Sequence, residues 1–444
     1  MALTVAVSGD AILNRRISTV QNPDFLALIE LFRRADVAYT HLEMLIHDYE
    51  GPELFPAAEA GWTYMRAPEF VVDELKWAGF DIVSHASNHA LDYSYGGLRS
   101  TWAALRRAGI PYAGTGRDLG DARAPAYLDT PKGRVALISM TSSFTRWSRA
   151  GEARRDMQGR PGVNPLRYYH VVDGAFMRTL KEVWTRLGWW IAEVAPRTYL
   201  IHPPGLHHTV YKYVEGDRPG VTTVADEDDV AGNLQAVRDA KSQADFVMVH
   251  VHCHEWDPEQ GLHAPPAFLP PFARACIEAG ADLFISEGSH SPLRGIEIYR
   301  GKPIFYDPGD LFLMSDTTTR LPADFYARHR YDLKVPPHQA GVADVIDGRQ
   351  AAPKPENPPG GYWTARVPGI VVPVCRYDDG GRLEEIRLYP ATWISEPRSQ
   401  TGIPRLAKGE AARAILTYLG ELSAPFGTTV ALDGDCGVIR PDVQ

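Results

Sequence analysis

Residues 80–92 read Phe-Asp-Ile-Val-Ser-His-Ala-Ser-Asn-His-Ala-Leu-Asp, and the fold turns on how they are read. The run from Phe80 to Val83 has the short, β-type apolar character of a buried strand. Asn88 and His89 then fall where that strand gives way to a loop, the edge at which open α/β sheets gather ligands and metals. An amide oxygen beside an imidazole suits a metal-assisted hydrolase better than a core. Asn88 can coordinate a cation, and His89 can reach a reacting group.

The same arrangement recurs along the chain. Leu3 to Ser8 ends in Gly9-Asp10, and Val37 to Thr40 leads into His41-Leu42-Glu43. Phe246 to Val251 runs into His252, Cys253, His254 and Glu255, and Leu283 to Ile285 is followed by Ser286, Glu287, Gly288, Ser289 and His290. Helix capping or loop satisfaction would account for any one of these. Five apolar runs that each deliver Asp, Glu, Asn or His just past their ends are the way one metal site assembles on a doubly wound sheet.

Composition bounds the class. With 444 residues the chain has room for one large domain or two. Hydrophobic residues at 44% and charged residues at 23% are those of a globular protein with a sizeable core. A net charge of -9, with no dense Lys/Arg cluster, argues against a nucleic-acid surface. Cys253, Cys276, Cys375 and Cys436 are widely separated and form no CxxC pair, which fits a reducing compartment. Cys253 reads as a small apolar residue at a strand end. The chain begins directly with a strand, and no window approaches the roughly 18 uninterrupted apolar residues of a membrane span. A cytoplasmic location without a membrane anchor is the expectation.

Strand and helix patterns alternate through residues 1–145, as a parallel sheet with crossover helices requires. A helix is expected over Gly97 to Gly109, with Leu98, Trp102 and Leu105 on one face, and a buried strand over Arg134 to Met140. Residues 146–235 change character. They carry Trp147, Tyr168, Tyr169, Trp184, Trp189, Trp190, Tyr199, Tyr211 and Tyr213 without evident alternation, and read as an insertion that caps the ligand end of the sheet. Residues 236–320 resume the domain, with helices over Val230 to Ala244 and Pro265 to Gly280 feeding the strands before His252 and His290. Residues 321–444 complete it: a Pro/Gly-rich stretch including a loop at Pro353 to Gly361, a hairpin around Asp378-Asp379-Gly380-Gly381, a helix over Gly409 to Glu421 and a short strand near Thr428 to Leu432.

These residues resemble those of the CapA family, named for poly-γ-glutamate capsule synthesis, whose fold is related to the calcineurin-like metallophosphoesterases. The resemblance is carried by Gly9-Asp10, His41-Leu42-Glu43, Asn88-His89-Ala90-Leu91-Asp92 with Gly97-Leu98, and Ala108-Gly109-Ile110-Pro111-Tyr112. It continues through His252, Gly280-Ala281-Asp282-Leu283, His290, Arg294 to Tyr299, Ile304-Phe305-Tyr306, Gly409-Glu410-Ala411-Ala412 and Leu422-Ser423. It implies an α/β, metallophosphoesterase-like sheet sandwich flanked by helices, outside the aromatic-rich insertion. It also implies a ligand cluster of Asp10, Glu43, Asn88, His252 and His290, with His89 beside it. The chain departs from the pattern in three places. Ile12 stands where a His usually follows the first Asp, Ser286-Glu287 replaces a Gly-His pair, and Pro308-Gly309-Asp310 replaces Leu-Gly-Asn. Glu287 can still serve as an oxygen ligand, so the number or identity of the ions is expected to differ.

Mixed oxygen and nitrogen donors without thiolate suit one or two ions of Mn, Zn or Fe. Glu43 is the natural bridging carboxylate for a pair, and His89 is placed to stabilise developing charge or protonate a leaving group. His250 and His254 flank His252 at the period of a strand and rank behind it as ligands or supporting groups, as does Glu287. Arg15 and Arg16, just after Asp10, can hold a substrate carboxylate. The expected function is metal-dependent hydrolysis of an amide bond in a small or oligomeric carboxylated substrate, peptide-like or γ-glutamyl in type. A phosphoesterase on the same centre, or a non-catalytic factor in polymer synthesis, are the competing readings.

Overall fold

Along six strands, the positions that point into the space between two facing sheets change from apolar to polar as the chain runs toward each strand's C-terminal end. The computed structural model describes residues 2–60, 63–206, 209–290, 293–352 and 367–441. One sheet is built around Leu3–Ile12, Val37–His41, Ile82–Ser84 and Tyr112–Ala113, paired in parallel. The hairpin Ile370–Tyr377/Leu383–Trp393 joins it antiparallel to Leu3–Ile12, with Leu3 opposite Tyr377. The facing sheet is built around Gly133–Thr141, Phe246–His252, Leu283–Glu287 and Lys302–Asp307, also parallel.

Period-two alternation sorts the side chains of each sheet into two layers. Val5, Val7, Val37, Tyr39, Ile82, Val135, Leu137, Phe246, Met248, Leu283 and Ile285 form the core between the sheets. Ala6, Ala38 and Val83 point the other way, onto the helices Pro23–Arg34, Val71–Ala78 and Ser94–Ala108. Val247, Val249, Val251 and Phe284 do the same for Glu227–Lys241 and Leu269–Ala279. The result is the helix–sheet–sheet–helix sandwich that the resemblance implies. The helix Gly409–Ser423 buries Ala412, Ile415, Leu416 and Leu419 in the inter-sheet layer along one edge. Among the described residues, no helix is long and apolar enough to cross a membrane.

The inward layer continues past the apolar positions as His41, Ser84, Ser139, Thr141, His250, His252 and Glu287, all buried. Register sets them side by side: Asp10 opposite His41, His41 opposite Ser84, and His252 opposite both Thr141 and Glu287. Asp10 reaches this layer because the Leu3–Ile12 strand carries a bulge. Val7 pairs with Tyr39 but Asp10, not Gly9, pairs with His41, and one extra residue turns the next side chain to the opposite face. Gly9 permits a close backbone approach as well. A Cβ there would lie 2.3 Å from the carbonyl oxygen of Gly309, and this contact draws Asp10 and Asp310 together. Gly9→Val is expected to cost about 1–3 kcal/mol from overpacking, read as a lower urea midpoint. An unchanged midpoint would mean that this backbone contact yields freely.

The aromatic segment differs from its reading. It contains a five-stranded sheet, ordered Trp190–Ala195, Thr198–His202, Tyr211–Gly216, Tyr168–Asp173, Val221–Ala225, with the helix Gly174–Arg186 against it. Val172, Met177, Trp184, Tyr199 and Ile201 form its own small core. Its pattern is faint in sequence because the edge strand is exposed at Trp190, Ala192, Glu193, Val194 and Ala195, so apolar and polar residues do not alternate there. Two short helices, Ala323–Arg328 and Val342–Ala351, occupy part of the Pro/Gly-rich stretch. The loop expected at Pro353 to Gly361 lies outside the described residues. The terminal strand falls later than expected, as the hairpin Ala431–Asp433/Cys436–Ile439.

Candidate metal centre

At the polar end of the inter-sheet layer, four buried carboxylates crowd together. Asp10, Glu43 and Glu287 are 0% exposed and Asp310 is 1% exposed. Around them stand His41, His89, His250, His252, His254 and His290. Three groups bring their donor atoms within 4.8 Å of one another: Asp10, His41, His252 and Glu287; Glu43, His254 and His290; and Asp10, His290 and Asp310.

The contacts radiate from two carboxylates. Glu43 Oε1 lies 3.4 Å from His252 Nε2 and from His290 Nε2, 3.8 Å from His254 Nε2 and 3.9 Å from His89 Nε2. Asp10 Oδ1 lies 3.8 Å from His41 Nε2 and His252 Nδ1, while Oδ2 lies 3.6 Å from His290 Nδ1. Both oxygens of Asp10 and both of Glu43 lack a hydrogen-bond partner, as does His41 Nε2. Buried acceptors left unpaired cost roughly 1–3 kcal/mol each, and more when charged.

Electrostatics follow from this crowding. Burial, together with Glu43, Glu287 and Asp310, raises the Asp10 carboxyl well above its usual range. Burial and the nearby Asp307 and Glu43 do the same to Glu287. Burial works against ionisation of Glu43 too, but His290, His254 and His252 outweigh it and hold that carboxyl well below the usual range. Burial drives His41 down to about 3 and takes His250 and His252 well below the ordinary imidazole value. These imidazoles are therefore neutral and present lone pairs. Burial lowers His290 too, but Glu43 and Asp310 outweigh it and raise that imidazole well above its ordinary range. Imidazole nitrogens interleaved with buried carboxylates are the donor set of a divalent cation.

Second contacts orient the donors. His89 Nδ1 lies 2.6 Å from Asp92 Oδ2, which also accepts from the Met65 N–H at 2.7 Å. His290 Nδ1 lies 3.2 Å from each oxygen of Asp310. His290 holds a left-handed backbone, φ 56°, a conformation that costs a non-glycine residue about 1–3 kcal/mol and gathers at functional sites. The His254 N–H donates to Ser143 Oγ at 2.8 Å, and Ser142 and Ser143 both donate to Glu255.

Of the residues singled out in sequence, Asp10, Glu43, Asn88, His89, His250, His252, His254, Glu287 and His290 are brought together. Asn88 enters through His252, its Oδ1 lying 3.0 Å from His252 Nε2. Asp10, rather than Glu43, is the carboxylate common to two of the three donor groups. Arg15 and Arg16 face elsewhere. Arg15 donates to the carbonyls of Arg398 and Thr401, and Arg16 pairs with Glu74 at 3.0 Å. Ile12 is buried in the apolar core. Cys253 is a buried free thiol packed in the core beneath the helices, as its strand-end position suggests.

Two contributors are given no role by the sequence reading, although a signal for each exists. His41 continues the inward alternation Val37, Tyr39, His41. Asp310 sits just past the strand Lys302–Asp307.

Comparison with known proteins places the chain in a family. Residues 4–315 match the family model described as "Bacterial capsule synthesis protein PGA_cap", and the chain belongs to that family. A Sinorhizobium fredii protein named "Uncharacterized protein y4sH" is 34% identical over 444 residues, covering 98% of this chain and 93% of that one. A Mycobacterium tuberculosis protein named "Probable polyglutamine synthesis accessory protein" is 31% identical over 227 residues, 51% of this chain and 43% of that one. The "Capsule biosynthesis protein CapA" of Bacillus anthracis is 21% identical over 366 residues, 80% of this chain and 69% of that one.

Proposed function

We propose that this chain is a metal-dependent hydrolase of amide bonds in a carboxylated, glutamyl-type substrate. The observation that carries the reading is the pair of fully buried carboxylates at Asp10 and Glu43, whose oxygens have no hydrogen-bond partner and face the ring nitrogens of His41, His252, His254 and His290. Asp10, Glu43, His252 and His290 would hold one or two ions of Mn, Zn or Fe, with Asn88 fixing the His252 ring. When bound, such an ion supplies Lewis acidity and lowers the pKa of water at the site.

The chain's own residues supply the rest. Burial works against the charged form of His89, but Asp92 and Glu43 outweigh it and raise its pKa. With Nδ1 tied to Asp92, the Nε2 proton points toward Glu43 and the cluster. An amide leaves as a poor, basic amine, and a retained proton on a positioned imidazole is what that departure needs. His89 is therefore the general acid, and Asp92 holds its ring.

The amide is favoured for two reasons. The M. tuberculosis relative is named for polyglutamine synthesis, and such polymers are joined by amide bonds. In addition, the cluster's ion pairs among the described residues take histidine alone as the cationic partner, whereas a phosphate clamp calls for Arg or Lys. Ser142 and Ser143, at the root of the 146–235 insertion, brace the His254 loop. This supports the insertion as the element that shapes the substrate side.

His89→Gln is expected to keep the wild-type metal content and lose about 10²–10⁴-fold in kcat. The assay is release of free amine from γ-glutamyl peptides, with and without chelator. Chelator-sensitive cleavage of an aryl phosphate but of no amide would replace this reading with a phosphoesterase. Metal-loaded protein inert toward both would leave a binding role.

A further inference from the structure

His41 and Glu287 take no part in the chemistry above, yet they complete a donor set with Asp10 and His252. We propose that the chain builds two unequal cation sites: a closed one from Asp10, His41, His252 and Glu287, and an open one from Glu43, His254 and His290. The inference rests on the metal reading of the preceding subsection and assigns different duties within it.

Distances support the closed set. His41 Nε2 lies 3.8 Å from both Asp10 Oδ1 and Glu287 Oε1. His252 Nδ1 lies 3.8 Å from Asp10 Oδ1 and 2.7 Å from Glu287 Oε1. Metal–donor bonds of about 2.0–2.2 Å place tetrahedral donors roughly 3.4 Å apart, inside that range. All four side chains are 0% exposed. His41 Nε2 and both Asp10 oxygens, aimed into the space, have no hydrogen-bond partner.

The supporting contacts select the donor atoms. His41 Nδ1 lies 2.7 Å from Ser84 Oγ, which lies 2.6 Å from the Tyr39 hydroxyl. His252 Nε2 is spent on Asn88. His41 Nε2, which has no hydrogen-bond partner, faces Asp10 and Glu287, and His252 Nδ1 faces the same pair, hydrogen-bonded to Glu287 Oε1 at 2.7 Å. The second oxygen of Glu287 is held by His250 Nε2, whose Nδ1 lies 2.9 Å from Ser139 Oγ. Outer contacts of this kind fix ring orientation and ligand basicity.

The Glu43 set is of another kind. It offers three protein donors, and two of them reach solvent, His254 with 18% and His290 with 8% of the side chain exposed. Four buried protein donors close a structural site, and three with an open position mark a catalytic one. Asp10 joins the two, since its Oδ2 lies 3.6 Å from His290 Nδ1. The closed ion would hold the ends of the two sheets together, and the open ion would meet substrate.

The test is metal retention, read without any activity assay. Protein stripped by chelator is reloaded with Zn²⁺ or Co²⁺ and dialysed. Wild type is expected to take up two equivalents and keep one, the kept one held at least about tenfold more tightly in chelator competition. With Co²⁺ the kept equivalent should show the intense visible absorption of a tetrahedral ion. His41→Gln should abolish the kept equivalent and its absorption while sparing the exchangeable one. Glu287→Gln gives the same answer should His41→Gln fail to fold. His254→Gln should remove only the exchangeable equivalent. A single wild-type equivalent that survives His41→Gln and Glu287→Gln but not His254→Gln would overturn the closed site and leave those residues a hydrogen-bonded cluster. Wild-type protein that binds neither ion would bring down the metal reading itself.

Discussion

Asp10→Asn protein should fold, bind no more than traces of metal at the shared position, and fall by about 10³-fold or more in any metal-dependent hydrolysis. The size of the effect follows from position. Asp10 is common to two of the three donor groups, it is fully buried, and neither of its oxygens has a hydrogen-bond partner. Asparagine keeps the shape but removes the charge and one oxygen donor. The same change should act in the opposite direction on the metal-free fold. The Asp10 carboxyl is raised by burial and by Glu43, Glu287 and Asp310. A carboxyl raised above its unfolded value contributes stability at low pH that is lost as pH rises through its folded pKa. At neutral pH the ionised form is thus a burden, and a neutral isostere relieves it. In chelator, Asp10→Asn should melt at or above the wild-type temperature. With added metal, wild type should gain stability by mass action and the variant should gain less, since only the Glu43, His254 and His290 group keeps all its donors. Melting curves in both media, with elemental analysis, decide the matter, and wild-type metal content in Asp10→Asn would remove Asp10 from the centre.

Arg294→Ala is expected to cost about 3–5 kcal/mol of stability, because it strands several buried acceptors at once. Arg294 is 0% exposed. Its guanidinium donates from Nε to the Leu262 carbonyl at 3.1 Å, from Nη1 to that of Cys253 at 3.5 Å, and from Nη2 to that of Glu255 at 2.7 Å. These carbonyls belong to the loop that follows the Phe246–His252 strand and carries His254. A planar fork can span three acceptors where an ammonium cannot, so Arg294→Lys should recover only part of the loss. Through these bonds Arg294 also holds the loop that carries His254. Urea unfolding measures the stability change. Metal affinity of Arg294→Lys, under conditions where it remains folded, should be weaker than wild type if the loop holds His254 in place. A midpoint within about 1 kcal/mol of wild type for Arg294→Ala would mean that water satisfies the carbonyls.

The apolar-to-polar change along the strands is legible in consecutive residues, because a strand's two-residue period is a local property. Val37 and Tyr39 place His41 on their own face, and Phe246 and Met248 do the same for His250 and His252. The sandwich and its flanking helices follow from the same pattern, repeated on strands long enough to show it. Pairing is not local. The bulge that turns Asp10 inward is a mismatch between two strands, visible only when Val7 is set against Tyr39 and Asp10 against His41. Nothing in the residues after Asp10 announces that Arg15 is spent on the carbonyls of Arg398 and Thr401, or Arg16 on Glu74. Those partners are brought in from far along the chain.

Architecture, family and the inventory of donors at the strand ends are thus written in the order of the amino acids. Which donors share a space is not, and it takes the packed chain to show it. Packing makes Asp10 the carboxylate common to two groups, joins His41 and Glu287 in one set, and gathers Glu43 with His254 and His290 in another. The physical reason is that side-chain period belongs to neighbouring residues, whereas register, sheet-to-sheet approach and the glycine contact between Gly9 and Gly309 depend on segments far apart in the chain.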